Sequence, residues 1–349
     1  MTKAVFAIPG NKDRRTGGFI YEATVLDQLN AMGCQTAHLI LPDSFPNPTP
    51  TDMERALDAL RAVPETQPII VDGLVFGAID PAGLATVNAP LIAMIHHPLG
   101  LETGLSDDES SFLLQNEAAA IRHADHIMVP SPHTRDILVR DFGADPARTT
   151  IALPGFKRPQ MAHAPADPPL ILSVGLLTER KGHDVLIDAL SQITDLAWQA
   201  EIVGKDHDRK TATTLREQVH RLDLTDRVRF MGELDEDTLA QRFSAASIFA
   251  LATRYEGYGM VLSEAMLYGL PIVSCSVGAV PDTVGNSGIL VPVDDATAFA
   301  DALRQLLTVS DTYTSFQAKA LIRAKALPTW EETAQKFVDA INSVSHQMI

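Results

Sequence analysis

The sequence alternates short apolar runs with amphipathic helical segments, and it does so in two series. The first series predicts strands at residues 4–8, 37–41, 69–71, 91–95, 126–129 and 149–153, and helices at 19–32, 52–63 and 108–123. The second predicts strands at 170–174, 198–203, 228–231, 248–250, 271–274 and 288–291, and helices at 184–192, 211–222, 236–245, 260–268 and 297–307. Such alternation is typical of α/β folds with parallel sheets.

The segment between the two series, KRPQMAHAPADPP at residues 157–169, contains four prolines and few apolar side chains. It predicts a linker between two domains. A chain of 349 residues also exceeds the size at which one hydrophobic core usually stops growing. We therefore expect two doubly wound domains, with a ligand cleft between the carboxyl edges of their sheets.

The charge and composition of the chain limit the classes of partner that it is expected to bind. The formal net charge of −16 argues against nucleic acid as the main partner and offers no polybasic attraction to an anionic membrane. No apolar run reaches transmembrane length without interruption, and the first residues lack the pattern of a signal peptide. Cys34 and Cys275 are interpreted as buried free thiols of a reducing compartment. These features predict a cytoplasmic protein.

The segment from Arg254 to Pro281 is the most informative part of the second series. After Glu256 it carries one charged side chain, Glu264, in otherwise apolar or small-residue surroundings. Such a carboxylate must reach water or strong donors, and the hydroxyl groups of a ligand would serve. Gly257 and Gly259 precede a helical pattern, so the exposed amides of a helix start favour a phosphate there.

This segment resembles a known family. Two glutamates eight positions apart within EGYGMVLSEAMLYGLPIV, followed by G-x-x-P-D, are similar to the signature of retaining, GT-B type glycosyltransferases of family four. The resemblance implies transfer of a hexose from a nucleotide-diphosphate sugar, UDP- or GDP-linked, to a sugar, glycan or lipid-linked acceptor. It implies retention of configuration, no metal ion and no further cofactor. The alternative interpretation is purely structural: one glutamate at the surface caps a helix, and the other is buried in a salt bridge.

The resemblance also implies a division of the chain into GT-B domains. Residues 1–158 form a Rossmann-like acceptor-side domain, onto which the terminal helix at 332–349 packs back. Residues 159–169 are the linker, and residues 170–331 form the Rossmann-like domain that binds the nucleotide sugar.

Arg180 and Lys181 follow the first strand of the second series. Two cations at a strand-to-helix loop can neutralise a departing diphosphate. The family usually has an arginine where this chain has Leu176; Lys181 keeps its match, and Arg180 is our inferred substitute for the missing arginine. The alternative is a pair of solvated loop cations.

The first domain offers a glycine loop and a strand-end histidine. Thr16-Gly17-Gly18-Phe19 resembles the family's glycine loop, and it lacks the dinucleotide pattern G-x-G-x-x-G, which disfavours a nicotinamide dehydrogenase. Two histidines end the strand at 91–95, where a cleft-facing imidazole could contact a sugar hydroxyl. His96 fits the family's position best, and His97 is the alternative.

The predicted site therefore has two groups of residues. The catalytic group is His96, Arg180, Lys181 and Glu256. The donor-binding group is Gly17, Gly18, Gly204, Phe230, Met231, Leu234, Gly257, Tyr258, Gly259, Met260, Val261 and Glu264. No metal ligands are predicted, because the paired aspartates at 107–108 and 294–295 lie next to expected helix starts, where carboxylates are favoured without a metal.

Two other functions remain open from the sequence. A nucleotide-sugar epimerase or hydrolase could use the same architecture, although the glutamate signature belongs to transferases. A non-catalytic nucleotide-sugar-binding protein is favoured only by Leu176, and Glu256, Glu264 and Lys181 oppose it.

Overall fold

The computed structural model describes residues 3–102 and 104–346. The chain divides into unit 1, Met1–Phe156 with Pro328–Ile349, and unit 2, Lys157–Leu327. Residues 157–169 run along unit 2: the amides of Ala164 and Ala166 donate to the carbonyls of Ser244 and Ala245, each at 2.9 Å.

Unit 1 contains a six-stranded parallel sheet in the order β2-β1-β3-β4-β5-β6. Its strands are β1 Lys3–Pro9, β2 Gln35–Leu41, β3 Ile69–Asp72, β4 Leu91–Met94, β5 His126–Val129 and β6 Thr149–Ile151. The helices between them are α1 Gly17–Ala31, α2 Pro50–Arg61, α3 Gly73–Phe76, α4 Pro81–Leu84, α5 Asp107–Ile121 and α6 Pro132–Asp141. The strand order reverses between β1 and β3. In sheets of this kind, ligands usually bind in the crevice at such a reversal.

Unit 2 contains a second six-stranded parallel sheet in the order β12-β11-β10-β7-β8-β9. Its strands are β7 Leu170–Val174, β8 Gln199–Val203, β9 Val228–Gly232, β10 Ala246–Leu251, β11 Ile272–Cys275 and β12 Gly288–Val291. Its helices are α7 His183–Ser191, α8 Arg209–Arg221, α9 Glu236–Ala245, α10 Met260–Leu267, α11 Val280–Val284, α12 Ala296–Thr308 and α13 Ser310–Lys325. This order reverses between β7 and β10, which is again the expected ligand position.

The last helix, α14 Trp330–His346, belongs to unit 1. Thr329 begins it with a capping box, in which the Glu332 amide donates to the Thr329 hydroxyl and the Glu332 carboxylate accepts from the Thr329 amide at 2.7 Å. Tyr21 of α1 packs edge-on against Trp330, with ring centroids 5.6 Å apart. The helix is therefore held against unit 1 by packing and by the Thr333 hydroxyl, which donates to the Leu153 carbonyl at 2.7 Å.

The two cores consist mainly of aliphatic side chains on the strands and on the inner faces of the helices. The inner strands β3, β4, β7 and β10 are buried throughout, because helices lie against both faces of a doubly wound sheet. Cys34 and Cys275 are buried free thiols, as predicted. Among the helices within residues 3–102 and 104–346, none is both long enough and apolar enough to cross a bilayer.

Candidate functional site

Two loops of unit 2 meet where its strand order reverses. Residues 175–182 follow β7, and residues 252–259 follow β10, the strand paired with β7 in the sheet. The Arg254 amide donates to the Arg180 carbonyl at 2.8 Å, and the Arg180 guanidinium donates to the Tyr255 carbonyl at 2.9 Å. These bonds join residues far apart in sequence into one structured surface.

An ion-paired cluster lies at this junction. The Lys181 ammonium donates to Oε1 of Glu256 at 2.6 Å, and the Arg180 guanidinium lies 3.7 Å from the other carboxylate oxygen. The Thr253 hydroxyl lies 3.1 Å from Oε1 of Glu256. The Lys181 side chain is 12% exposed and that of Glu256 is 7% exposed. The predicted catalytic residues of unit 2 are therefore in contact with one another.

The pKa of Glu256 reflects two opposing effects. Burial alone would raise this pKa, but the charges of Lys181 and Arg180, with hydrogen bonds from Lys181 and Thr253, outweigh burial and hold the pKa below its ordinary value. Glu256 is therefore an ionised carboxylate neutralised by two cations. A ligand hydroxyl that bound Glu256, as the sequence led us to expect, would have to share it with Lys181.

Helix α10 begins beside this cluster. Gly259, at its N-cap, has φ 82°, in the left-handed region that a side chain disfavours. Leu262, Ser263, Ala265 and Met266 form the buried face of the helix. The partly exposed face carries Met260, Val261, Glu264, Leu267 and Tyr268. The predicted donor-binding residues of this helix therefore lie together on its accessible face.

Glu264 is the only carboxylate on that face. Burial, with the charge of Glu236 as a smaller contribution, raises the pKa of Glu264 to about 7. Hydrogen bonds from ligand hydroxyls would stabilise its ionised form, so the carboxylate is suited to accept them.

Tyr258 differs from the other residues of the loop. Its phenol oxygen lies 3.1 Å from the Ser263 hydroxyl, and its carbonyl accepts from the Thr283 hydroxyl at 2.6 Å. The residue is 8% exposed. The Tyr258 ring therefore packs inside unit 2 and braces the loop, while the neighbouring Gly257 is half-buried.

The remaining predicted donor-binding residues of unit 2 lie at the ends of β8 and β9. A Cβ atom at Gly204 would collide with the Gly175 carbonyl oxygen, so glycine allows the loops after β7 and β8 to approach each other. Phe230, Met231 and Leu234 are all half-buried. The Arg216 guanidinium lies 5.3 Å from the centroid of the Phe230 ring, in a cation–π contact.

The sequence analysis missed an arginine that fixes this region. Arg254 donates to the Asp184 carboxylate at 2.7 and 3.1 Å and to the Asp294 carboxylate at 2.8 Å, and it also bonds the Glu179 carbonyl. It thereby ties the loop before α10 to the start of α7 and to the turn before α12. Arg254 stands two positions before Glu256 and was visible in the sequence, but its partners lie 70 and 40 positions away.

In unit 1 the glycine loop and the strand-end histidine come together. Gly17 and Gly18 begin α1, and a Cβ atom at Gly18 would lie 3.4 Å from the His96 ring. The Tyr21 ring meets the His96 ring edge-on, with centroids 5.3 Å apart. His97 instead contacts Glu102, with Nε2 3.0 Å from the carboxylate. His96 is therefore the histidine that adjoins the predicted glycine loop.

His96 also lies close to two buried acids that the sequence analysis did not select. Its Nε2 lies 3.1 Å from Oε1 of Glu22, a residue with no exposed surface. Asp72, 3% exposed at the end of β3, accepts from the Leu74 amide at 2.7 Å. Burial raises the pKa of Glu22 to about 8 and that of Asp72 well above its usual range. Burial lowers the pKa of His96, against the opposing effect of the Asp72 charge, and so favours the neutral imidazole.

Of the four aspartates considered as metal ligands, three lie at helix starts and Asp294 pairs with Arg254. Asp107 and Asp108 occupy the first turn of α5, behind the capping residue Ser106. Asp295 caps α12 by accepting from the Ala298 amide at 2.9 Å. Within residues 3–102 and 104–346, three metal-ligating side chains come within 4.8 Å of one another at Glu22, Asp72 and His96.

Comparison with known proteins identifies the family. Residues 168–309 match the family described as Glycosyl transferases group 1, and residues 30–157 match Glycosyltransferase Family 4. D-inositol 3-phosphate glycosyltransferase 2 of Catenulispora acidiphila is 30% identical over 278 residues, which cover 71% of this chain. The aligned region spans 64% of that relative's length.

Solved structures show the same fold. Sucrose-phosphate synthase from Thermosynechococcus elongatus superimposes with a TM-score of 0.82 at 22% identity, over 99% of both chains. Anabaena HepE, solved in complex with UDP and glucose, gives a TM-score of 0.75 at 16% identity, over 98% of this chain and all of its own. By these matches and by its two six-stranded parallel sheets, the chain belongs to the group 1, family-four glycosyltransferases and has the GT-B fold.

Proposed function

We propose that this chain transfers a hexose from a UDP- or GDP-linked sugar to an acceptor, with retention of configuration and without a metal ion. One observation carries the proposal: Lys181 and Arg180 converge on Glu256, beside the first turn of α10. Two cations next to helix-start amides form a site for the negative charge that develops on a departing diphosphate.

The ion-paired cluster suggests how the donor engages. Without donor, Glu256 neutralises the two cations. A bound diphosphate brings its own negative charge to Lys181 and Arg180, so their attraction is divided between the phosphate oxygens and the carboxylate. Glu256 can then accept a hydrogen bond from a hydroxyl of the sugar. Glu264, on the same face as Met260 and Val261, accepts from the hydroxyls of the ribose.

The chemistry proposed is a front-face displacement. The bond between the anomeric carbon and the diphosphate oxygen breaks, and the acceptor oxygen bonds to that carbon on the same face. The acceptor proton passes to the departing diphosphate. Glu256 is poorly suited as a covalent nucleophile, because Lys181 and Arg180 already neutralise its charge, which supports retention without a sugar–enzyme bond.

In unit 1, His96 is the residue proposed to contact the transferred sugar. Its ring is enclosed by Tyr21, Gly18 and Glu22, while its side chain stays 26% exposed. A neutral imidazole held in this way can hydrogen-bond a hydroxyl without losing rotational freedom on binding.

The relatives suggest which substrates to test first. The HepE crystals hold UDP and glucose, and the names of the other two proteins contain D-inositol 3-phosphate and sucrose-phosphate. We propose a phosphorylated polyol or hexose as the first acceptor class, with glycan and lipid-linked acceptors as the alternatives.

The test is turnover with a panel of UDP- and GDP-hexoses, with and without these acceptors, followed by NMR of the anomeric coupling in the product. The proposal requires acceptor-dependent release of nucleotide and a product with the donor's anomeric configuration. Donor cleavage of equal rate with and without acceptor would indicate a hydrolase, and an isomerised donor would indicate an epimerase. Donor binding by calorimetry without turnover would indicate a binding protein.

A further inference from the structure

A buried histidine joins the two ends of the loop at residues 175–182, which carries both cations of the ion-paired cluster. His183 is the first residue of α7, and it is 1% exposed. Its Nε2 lies 3.3 Å from the carbonyl oxygen of Gly175, where the loop begins. Its Nδ1 lies 3.5 Å from the hydroxyl of Ser173, on β7. The ring therefore connects the end of β7 to the start of α7.

These contacts determine which nitrogen of His183 carries the proton. A backbone carbonyl can only accept a hydrogen bond, so Nε2, which faces the Gly175 carbonyl, is the donor. Nδ1 is then an acceptor, and the Ser173 hydroxyl is its nearest donor. Burial lowers the pKa of His183 to about 4, in agreement with a neutral ring.

Gly175 is also the residue on which the Lys181 side chain rests. A Cβ atom at Gly175 would lie 3.1 to 3.3 Å from Cδ, Cγ and Cε of Lys181, so the lysine stem passes directly over the glycine backbone. The Gly175 amide donates to the Val203 carbonyl at 2.9 Å. The backbone under Lys181 is thus held through its amide by β8 and through its carbonyl by His183.

The other end of the loop is fixed at Gly182, between Lys181 and His183. Gly182 has φ 63°, and a Cβ atom there would collide with the carbonyl oxygen of Ala252. This close approach fixes where α7 starts, and the helix start in turn places the His183 ring. A displacement of Gly175 relative to α7 would move the Lys181 stem, whose ammonium lies 2.6 Å from Glu256.

We propose that His183 is a positioning residue of the leaving-group site. By donating from Nε2 to the Gly175 carbonyl, it holds the backbone under the Lys181 stem and so fixes the ammonium that contacts Glu256. The effect on the departing diphosphate rests on the proposed transferase function. The tautomer of His183 and the dependence of the Lys181–Glu256 pair on it do not rest on that function.

Two substitutions and one control separate positioning from simple packing. In His183→Gln, the side-chain amide nitrogen can take the place of Nε2 and donate to Gly175. His183→Leu fills a similar volume and removes the donor. His163→Leu is the matched control, because Nε2 of His163 also contacts a backbone carbonyl of unit 2, that of Ala246 at 2.7 Å, outside the loop.

The first readouts are independent of activity. In ¹⁵N-histidine-labelled full-length protein, the His183 signal, assigned by its loss in His183→Gln, should show a protonated Nε2 and an unprotonated Nδ1. The coupling between Lys181→Met and Glu256→Gln in a double-mutant cycle of urea unfolding should fall by about half or more in His183→Leu. It should keep its wild-type value in His183→Gln and His163→Leu. A protonated Nδ1, or an unchanged coupling in His183→Leu, would overturn the proposal.

The second readout is turnover. His183→Leu should lower kcat by about 10- to 100-fold, because misplacement of a group that acts on the transition state costs rates of that order. The Kd for the donor should change much less. His183→Gln should retain most of the wild-type kcat, and His183→Leu should cause no further loss in a Lys181→Met background.

An equal further loss in the Lys181→Met background would show that His183 does not act through Lys181. An equal loss of kcat in His163→Leu would show that the effect is a general consequence of lowered stability. A wild type without transferase activity would refute the proposed function, and the spectra and the unfolding cycle would still test the role of His183.

Discussion

The ammonium nitrogen of Lys181 lies 2.6 Å from Oε1 of Glu256, although the residues are 75 positions apart. Both side chains are almost excluded from solvent, and Arg180 approaches the second carboxylate oxygen. The two residues that the sequence assigned separately to diphosphate and sugar hydroxyls thus form one charged unit. Changes to either should affect stability as well as activity.

A double-mutant cycle between Lys181→Met and Glu256→Gln should show this coupling. Methionine keeps the aliphatic stem that lies over Gly175, and glutamine keeps the volume of Glu256. Each single change leaves a buried charge less compensated. The sum of the two single losses in unfolding free energy should therefore exceed the loss in the double variant. We expect a coupling of about 1 to 3 kcal/mol from urea unfolding. Strictly additive losses would show that the ion pair contributes nothing to folding.

Lys181→Met should slow turnover more strongly than it weakens donor binding. A preorganised charge on the leaving diphosphate contributes mainly in the transition state, about 3 kcal/mol of barrier or about 100-fold in kcat. Steady-state kinetics with the preferred donor would measure it, with exposed Lys3→Met as the control. An unchanged kcat would remove Lys181 from the leaving-group site.

Donor affinity should rise with pH through the titration of Glu264. Its pKa of about 7 in the free protein means that most of the carboxyl is protonated at pH 6 and ionised at pH 8. If ribose hydroxyls bind the ionised form, Kd for the nucleotide sugar should fall by about tenfold over that range.

Glu264→Gln should flatten this dependence. Calorimetry with an intact nucleotide sugar is the suitable measurement, because its diphosphate does not titrate near neutrality. A wild-type affinity that is constant from pH 6 to pH 8 would contradict the role of Glu264.

Activity should survive a chelator. Arg180, Lys181 and the helix-start amides supply the positive charge that many enzymes obtain from a metal, and Asp295 caps a helix. Turnover after dialysis against EDTA should equal that of untreated protein, with added magnesium and manganese as the comparison. Turnover that disappears in chelator and returns with either ion would contradict the proposed leaving-group chemistry.

Glu117 should make unit 1 less stable as the pH rises. This buried carboxyl accepts from the Leu99 amide, and burial raises its pKa to about 8. The native state therefore binds the Glu117 proton more tightly than the unfolded state does. This difference stabilises the native state fully below the ordinary glutamate pKa, and the stabilisation is lost as the pH rises towards 8.

Glu117→Gln should remove that loss. The difference in unfolding free energy between wild type and variant should shift in favour of the variant from pH 5.5 to pH 8, by at most about 1.4 kcal/mol per pH unit. Exposed Glu65→Gln should show no such shift. A parallel pH dependence for wild type and Glu117→Gln would show that Glu117 is ionised at little cost.

The alternation of strands and helices was predictable because it is local. Within residues 3–102 and 104–346, the periodicity of apolar residues located all twelve strands and most of the longer helices. It missed α6 and α13, because the buried face of each holds few apolar residues: Ile137 and Leu138 in α6, Ala320 and Ala324 in α13. The family, too, was visible in the short stretch around Glu256 and Glu264.

What only the tertiary structure decided is which charges meet. Sequence spacing could not show that Lys181 pairs with Glu256, that Arg254 joins Asp184 to Asp294, or that Glu22 and Asp72 stand behind His96. Each pair is brought together by the order of parallel strands, which places loops from distant parts of the chain at one edge of a sheet. The burial that follows then sets the protonation state of each group, and burial is a property of the packed fold.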